Sequence, residues 1–302
     1  SVFELHNKLH ERTMNKLHAQ RSYQDRLARV QAHIHDHLSD ELDLNRLADI
    51  ACMSPTHWHR IYHGVFGETV AATVKRVRLH SAAGMLANSA IQIDEIAKRC
   101  GYPNLQSFTR IFSDSYGMPP ARYRKEGSHR QFHDALEEQR ESVCGPWTVE
   151  IRDVPEMSLL TIDHHGSFMQ IGEAFDRLFG WLAVRDLIEP NVRLIGVYHT
   201  DPDAFAENDL FSKAGALLDQ TESITIEAPV ERTVVEAGRY ACLRYKGPYA
   251  DMKSAYLWLF GKWLPQSGEE VREGPVFEEY LNNPRETAPT ELLTEIYMPL
   301  EG

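Results

Sequence analysis

Two carboxylates stand among aromatic residues near the carboxyl end of this 302-residue chain. Glu278 lies in the strand-like segment Val276–Tyr280, and Glu295 lies in the last such segment of the sequence. A carboxylate beside aromatic rings suits a cationic or planar apolar molecule through charge pairing, stacking and cation–π contact. The alternative is that the aromatic residues are core and the carboxylates are simply exposed. We predict a ligand site formed by the following residues: Tyr245, Tyr249, Trp258, Trp263, Phe277, Glu278, Tyr280 and Glu295.

A second group of polar residues recurs in the first half of the chain, on the outer faces of two amphipathic helices. Each helix follows a short helix and a sharp turn, and Gly101 supplies the second turn because glycine tolerates positive φ. Superposing the two units pairs Trp58 with Phe108 on the inner faces and Arg60 with Arg110 on the outer faces. Short helix, turn and amphipathic helix are typical of the helix-turn-helix motif.

A helix over residues 68–87 is predicted to connect the two units, with a basic side formed by Lys75, Arg76 and Arg78. Twenty residues at about 1.5 Å each give about 30 Å. This length approaches the roughly 34 Å between successive major-groove faces of B-DNA. One chain could therefore read two adjacent grooves.

Charge divides the chain in the same place. The net charge is −12, but residues 1–130 contain 18 basic and 13 acidic residues, whereas the remainder contains 14 and 31. A basic half suits phosphate, and an acidic half suits a cationic ligand or a protein partner. The four cysteines are widely separated, which favours a reducing cytoplasm. No apolar stretch reaches membrane-spanning length, and the histidine spacings do not favour a metal site.

The acidic half repeats itself at an offset of 81 or 82 residues. The segment from His165 to Gly180 matches the one from Lys246 to Gly261, and the Tyr198 region matches the Tyr280 region. Each copy has the pattern of a strand, a glycine turn, an amphipathic helix and two strands. Two such βαββ copies paired edge to edge predict an α+β domain with pseudo-twofold symmetry and a groove between the copies.

The first half resembles the DNA-binding domain of AraC/XylS-type regulators. The resemblance rests on Gly101-Tyr102, on Phe108-Thr-Arg-Ile-Phe112 and on the run from Gly117 to Arg124. Cys52 departs from the family, which usually has glycine at that turn. The resemblance implies base contacts, and the chemistry of arginine toward guanine and of glutamine toward adenine agrees with it. The implied contact residues are Thr56, His59 and Arg60 in the first unit and Gln106, Thr109 and Arg110 in the second.

The second half resembles the GyrI-like, or SHS2-repeat, ligand-binding domain. The resemblance rests on Lys246-Gly-Pro-Tyr249, on the run from Pro275 to Pro284 and on the run from Thr294 to Leu300. It implies binding of bulky hydrophobic, often cationic molecules, as in multidrug or toxin sensing. Glu278 falls on the family's strand acid and Trp263 on its helix tryptophan. Some members hydrolyse cyclopropane-bearing compounds with a glutamate and an aromatic partner, so a hydrolase using Glu278 and Trp263 stays open beside a protein-interaction module.

Together these observations predict a multidomain chain. We expect an extension over 1–21, an all-α domain with two helix-turn-helix motifs over 22–126, a linker over 127–146 and a GyrI-like α+β domain over 147–302. The predicted function is ligand-responsive transcription regulation, with double-stranded DNA, RNA polymerase and a small hydrophobic or cationic effector as partners. Neither a cofactor, a metal nor a membrane partner is expected.

Overall fold

The computed structural model of the chain describes residues 24–40, 43–53, 55–126, 147–202 and 205–302. Side chains are described in these ranges except at positions 44, 55–57, 59 and 60. The predicted extension, 1–21, and the predicted linker, 127–146, lie outside the described residues. Within the described residues, none of the helices combines the length and the apolar character needed to cross a membrane.

The amino-terminal domain is helical throughout its described part. Asp43 caps the second helix by accepting hydrogen bonds from two backbone amides, and Asn104 caps the sixth by accepting one from the amide of Ser107. The helices are α1 (24–36), α2 (Leu44–Ile50), α3 (Pro55–Phe66), α4 (Val70–Asn88), α5 (Ile93–Arg99), α6 (Leu105–Tyr116) and α7 (Pro120–Glu126).

Each helix-turn-helix unit has its own aromatic core. Trp58 and Tyr62 of α3 are fully buried against α1 and α2, and Phe108 and Phe112 of α6 are fully buried against α4, α5 and α7. The rings of α6 stack on one another, with Phe112 and Tyr116 centroids 4.4 Å apart. These buried aromatic faces therefore determine which faces of α3 and α6 point outward.

The carboxyl-terminal domain is built on one eight-stranded antiparallel sheet, with the order β1-β6-β8-β7-β3-β4-β2-β5. Helix α8 (Ile171–Ala183) belongs to the first copy of the repeat, and helix α9 (Lys253–Trp258) belongs to the second. A π-helical stretch, Leu259–Trp263, continues α9 into the short helix α10 (Leu264–Ser267). The strands are β1 (Val149–Val154), β2 (Met157–His165), β3 (Arg193–Tyr198), β4 (Phe211–Leu217), β5 (Glu231–Val235), β6 (Gly238–Lys246), β7 (Val276–Tyr280) and β8 (Leu293–Pro299).

The two copies meet where β3 pairs with β7, at the centre of the sheet. The predicted fold is confirmed, but each copy has four strands instead of three. Strand β1 of the first copy pairs with β6 of the second, and β5 of the second pairs with β2 of the first. The first strand of each copy thus pairs with a strand of the other copy. Local periodicity in the sequence does not reveal this long-range pairing.

Candidate functional site

The carboxyl group of Glu278 lies at the centre of the domain, on the sheet face that carries α8 and α9. Tyr256 of α9 donates a hydrogen bond of 2.6 Å to Oε1, and Tyr280 of β7 donates one of 2.8 Å to Oε2. Only 5% of Glu278 is exposed. Burial raises the pKa of Glu278, although hydrogen bonds from tyrosine hydroxyls oppose the rise.

Glu278 also lies at the pseudo-twofold axis. It pairs across β3 and β7 with Gly196, the residue 82 positions earlier in the other copy. A Cβ at Gly196 would lie only 2.9 Å from the Tyr280 hydroxyl oxygen. The hydroxyl groups of Tyr198 and Tyr280, which are also repeat equivalents, are 2.7 Å apart. The second copy therefore places the Glu278 carboxyl at the axis. The first copy has glycine at the equivalent position, which leaves room for the hydroxyl groups of Tyr198 and Tyr280.

Six aromatic side chains line this part of the domain, and we call them the aromatic groove. Phe168 packs on Tyr198 at a centroid distance of 4.9 Å, and Tyr249 packs on Tyr280 at 5.5 Å. All six rings keep partial exposure. The groove residues are Phe168, Phe175, Tyr198, Tyr249, Tyr256 and Tyr280.

The structure does not bring Phe277 or Glu295 to this groove, which corrects the prediction. Phe277 neighbours Glu278 in an extended strand, so its side chain points to the opposite face, where it stacks on Tyr297. Glu295 also lies on that face. Arg152 and Arg244 bind its carboxylate at 2.9 Å and 2.7 Å. Burial opposes ionisation of Glu295, but hydrogen bonds from Tyr297 and the two arginines outweigh it and lower its pKa to about 2.

Three further predicted ligand residues belong to the hydrophobic cluster that packs α9 and its continuation against the sheet. Tyr245 donates a hydrogen bond of 2.9 Å to the carbonyl of Pro248, and Trp258 packs edge-on against Trp147 at 5.7 Å. Trp263 is partly buried against the same hydrophobic cluster. Their contacts stabilise the position of α9 relative to the sheet. Of the eight predicted residues, the structure joins Tyr249, Glu278 and Tyr280.

The groove residues that the prediction missed are Phe168, Phe175, Tyr198 and Tyr256. The repeat contained the signal, since Phe168 matches Tyr249 and Phe175 matches Tyr256 at the offset of 81. A groove on a pseudo-twofold axis must draw side chains from both copies. The prediction assigned the chemistry to the second copy alone.

The outer face of α6 carries polar side chains. Gln106 and Arg110 are exposed and lie one turn apart on the same face, with Thr109 partly buried beside them. In the first unit, the predicted contacts Thr56, His59 and Arg60 lie outside the described side chains. The structure places the backbone of that recognition helix at Pro55–Phe66.

Arg78 of α4 joins the two helix-turn-helix units, a role that its place on the predicted basic face did not suggest. It donates hydrogen bonds to the backbone carbonyls of Leu38, at 2.8 Å, Asp40 and Gly101, at 3.3 Å. Gly101 adopts φ +71°, and the equivalent turn residue Cys52 adopts φ +53°. The two turns thus share a left-handed backbone, which costs a residue with a side chain more than it costs glycine.

Two family models match the chain. A GyrI-like small molecule binding domain matches residues 148–301, and a helix-turn-helix domain matches residues 47–126. The chain is 25% identical over 279 residues to the right origin-binding protein of Escherichia coli, covering 87% of this chain and 94% of that protein. It is 33% identical over 93 residues to an uncharacterized HTH-type transcriptional regulator, YobQ of Bacillus subtilis, but covers only 39% of that protein.

Two solved structures are also similar to this chain. A cryo-EM structure of the EcmrR–DNA complex is 15% identical and is similar over 84% of each chain, with a TM-score of 0.46. The EcmrR carboxyl-terminal domain is 17% identical, and 99% of it aligns with 52% of this chain at a TM-score of 0.42. The two family models and the match to the right origin-binding protein show what the chain is. It belongs to the GyrI-like small molecule binding family, and it is a DNA-binding transcription regulator in which that domain follows an AraC-type helix-turn-helix domain.

Proposed function

We propose that the aromatic groove binds a bulky hydrophobic cation and that this binding controls transcription. The observation that carries the proposal is the buried carboxyl of Glu278, which lies on the pseudo-twofold axis among six rings. Desolvated carboxylates need a partner, and aromatic faces attract cations. The six rings keep partial exposure, which supports access by a ligand.

The groove residues support binding in preference to catalysis. Both oxygens of Glu278 already accept tyrosine hydrogen bonds, so a general base there would first have to lose them. We therefore propose that the hydrolase activity of some family members is absent here. Turnover of a cyclopropane-bearing electrophile by the full chain, with loss of turnover in Glu278→Gln, would contradict this assignment.

On the DNA side we propose that Gln106, Thr109 and Arg110 of α6 contact base edges, and that Thr56, His59 and Arg60 of α3 do the same in the neighbouring groove. The exposure of Gln106 and Arg110 on one face supports the first set. RNA polymerase is the proposed protein partner at the promoter, and the cytoplasm is the proposed compartment. Free thiols at Cys100 and Cys242 are consistent with a reducing compartment.

The test compares two ions of the same size and opposite charge. Calorimetric titration of the full chain with tetraphenylphosphonium should give saturable binding, and titration with tetraphenylborate should give much weaker binding. The phosphonium ion pairs with Glu278 and stacks on the rings, whereas the borate ion is repelled by the same carboxylate. Equal affinity for the two ions, or binding of neither, would rule out a cation site.

A further inference from the structure

Helix α4 of the DNA-binding domain lies against the rims of the aromatic groove on both copies of the repeat. The first rim is the turn at Phe168–Gln170, where a Cβ at Gly84 would come within 3.1 Å of the Met169 side chain. His80, one turn away, places Nε2 2.8 Å from the Met169 carbonyl oxygen.

The second rim is the equivalent turn, Tyr249–Asp251. The rings of His80 and Tyr249 pack edge to face at a centroid distance of 6.1 Å. Ala250 is buried in the hydrophobic core of the second helix-turn-helix unit. His80 thus contacts both rims, and Tyr249 belongs at once to the groove and to the surface between the domains.

A buried ion-pair cluster holds this arrangement in place. Arg285, in the loop after β7, pairs with Asp176 of α8 at 2.5 Å and with Glu68 of the DNA-binding domain at 3.3 Å. Arg76 of α4 pairs with Glu68 at 2.6 Å, and His35 of α1 lies 3.5 Å from Asp176. The two carboxylates and two guanidinium groups balance in charge, which a buried cluster requires.

The cluster is connected to both functional surfaces. Arg285 follows Tyr280, a groove residue, by five positions. On the other side Thr73 donates a hydrogen bond of 2.8 Å to Glu68, and Tyr62 donates one of 2.8 Å to Thr73. Tyr62 is a fully buried core residue of the recognition helix α3. Contiguous polar contacts therefore join Arg285 to α3 through Glu68 and Thr73.

We propose that α4 is the lid of the aromatic groove, with His80 as its gating side chain, so that a bulky ligand enters by displacing the DNA-binding domain from the groove rims. This inference rests on the proposed cation site. It specifies how occupancy is transmitted: ligand and α4 compete for the surface of Tyr249, and the ligand thereby changes the placement of both recognition helices.

A cysteine pair tests the lid in the full chain. Gly84→Cys and Met169→Cys are combined in a background with Cys52→Ser and Cys144→Ser. The ideal Cβ at position 84 lies 3.7 Å from Met169 Cγ, so a short cross-link needs only a small adjustment. Stopped-flow and equilibrium titration with tetraphenylphosphonium are compared for the oxidised and the dithiothreitol-reduced protein.

Oxidation should slow association and weaken equilibrium binding at least tenfold, and reduction should restore both. The cysteine-substituted parent without the pair should be indifferent to oxidation. His80→Ala should speed association, because it removes the gating ring and leaves Glu278 in place. Equal binding by the oxidised and reduced forms would overturn the lid, as would failure of the disulfide to form. Absence of binding to the unmodified chain would instead overturn the cation site itself.

Discussion

Replacing Glu278 with glutamine removes the negative charge of the groove while keeping its shape. For a cation centred at an assumed distance of about 5–6 Å from that carboxylate, the attraction is about 3 kcal/mol at an effective dielectric constant of about 20. Ionising Glu278 offsets part of this attraction, because burial raises the pKa of Glu278. We therefore expect Glu278→Gln to weaken tetraphenylphosphonium binding about 10- to 100-fold, or about 1.4–2.8 kcal/mol. Calorimetric titration of the full chain measures this difference directly.

The matched control is Glu279→Gln, which removes the same charge from the opposite face of the same strand, where Glu279 pairs with Arg193 at 2.6 Å. It should leave cation binding within about twofold. The wild-type affinity should also fall as the pH is lowered through the raised pKa of Glu278, since protonation removes the counter-charge. Glu278→Gln should lose that pH dependence. If both tetraphenyl ions lost affinity equally in Glu278→Gln, the residue would contribute packing and not charge, and the reasoning would be refuted.

Three further predictions concern the DNA-binding domain and its contact with the effector domain. Arg110→Ala should weaken binding to a selected operator by about 1–3 kcal/mol in a gel-shift titration. The control Arg99→Ala, which removes an exposed charge from α5, should leave operator binding unchanged. Equal effects of the two substitutions would remove Arg110 from the base contacts. Gly101→Ala should cost about 2–4 kcal/mol of unfolding free energy, because φ is +71° and the new Cβ would lie 2.5 Å from the Leu38 carbonyl oxygen. Gly117→Ala, with φ +73° and open space around it, should cost only about 1–2 kcal/mol, and equal costs would refute the steric argument. Burial raises the pKa of Asp251 to about 7 from 3.8, so its contribution to stability falls as the pH rises from about 4 and is lost above about 7. In denaturant titrations, the unfolding free energy of the wild type should fall by about 2–3 kcal/mol from this cause between pH 5 and pH 8, and Asp251→Asn should not show this fall. If the unfolding free energies of the two proteins changed in parallel with pH, the raised pKa of Asp251 would be contradicted.

Local signals predicted the helical domain well. The inner face that carries Phe108 and the turn at Gly101 depend on residues a few positions apart, and the structure has both of them. Arg78 shows the limit of such signals. Its position predicted a basic helix face, but its partners are carbonyls as far as 40 residues away.

The groove was predictable in part. Alternation along a strand excludes Phe277 once Glu278 is placed inside, and the repeat offset links Phe175 to Tyr256. The position of Glu295 depends on the register of β8 with its neighbours, which only the folded sheet determines. The docking of α4 on the groove rims left no mark in the sequence pattern, because its contacts join residues in separate domains.

The central claim is that the groove and the DNA-binding domain are coupled. The most direct measurement is the affinity of the full chain for a DNA fragment selected from a random pool, with and without saturating tetraphenylphosphonium. Because coupling between two binding sites is reciprocal, DNA should change the affinity for the cation by the same factor. The account predicts a factor of at least five in both directions and its loss in the oxidised Gly84→Cys, Met169→Cys protein. A DNA affinity that stays the same while the groove is saturated would contradict it.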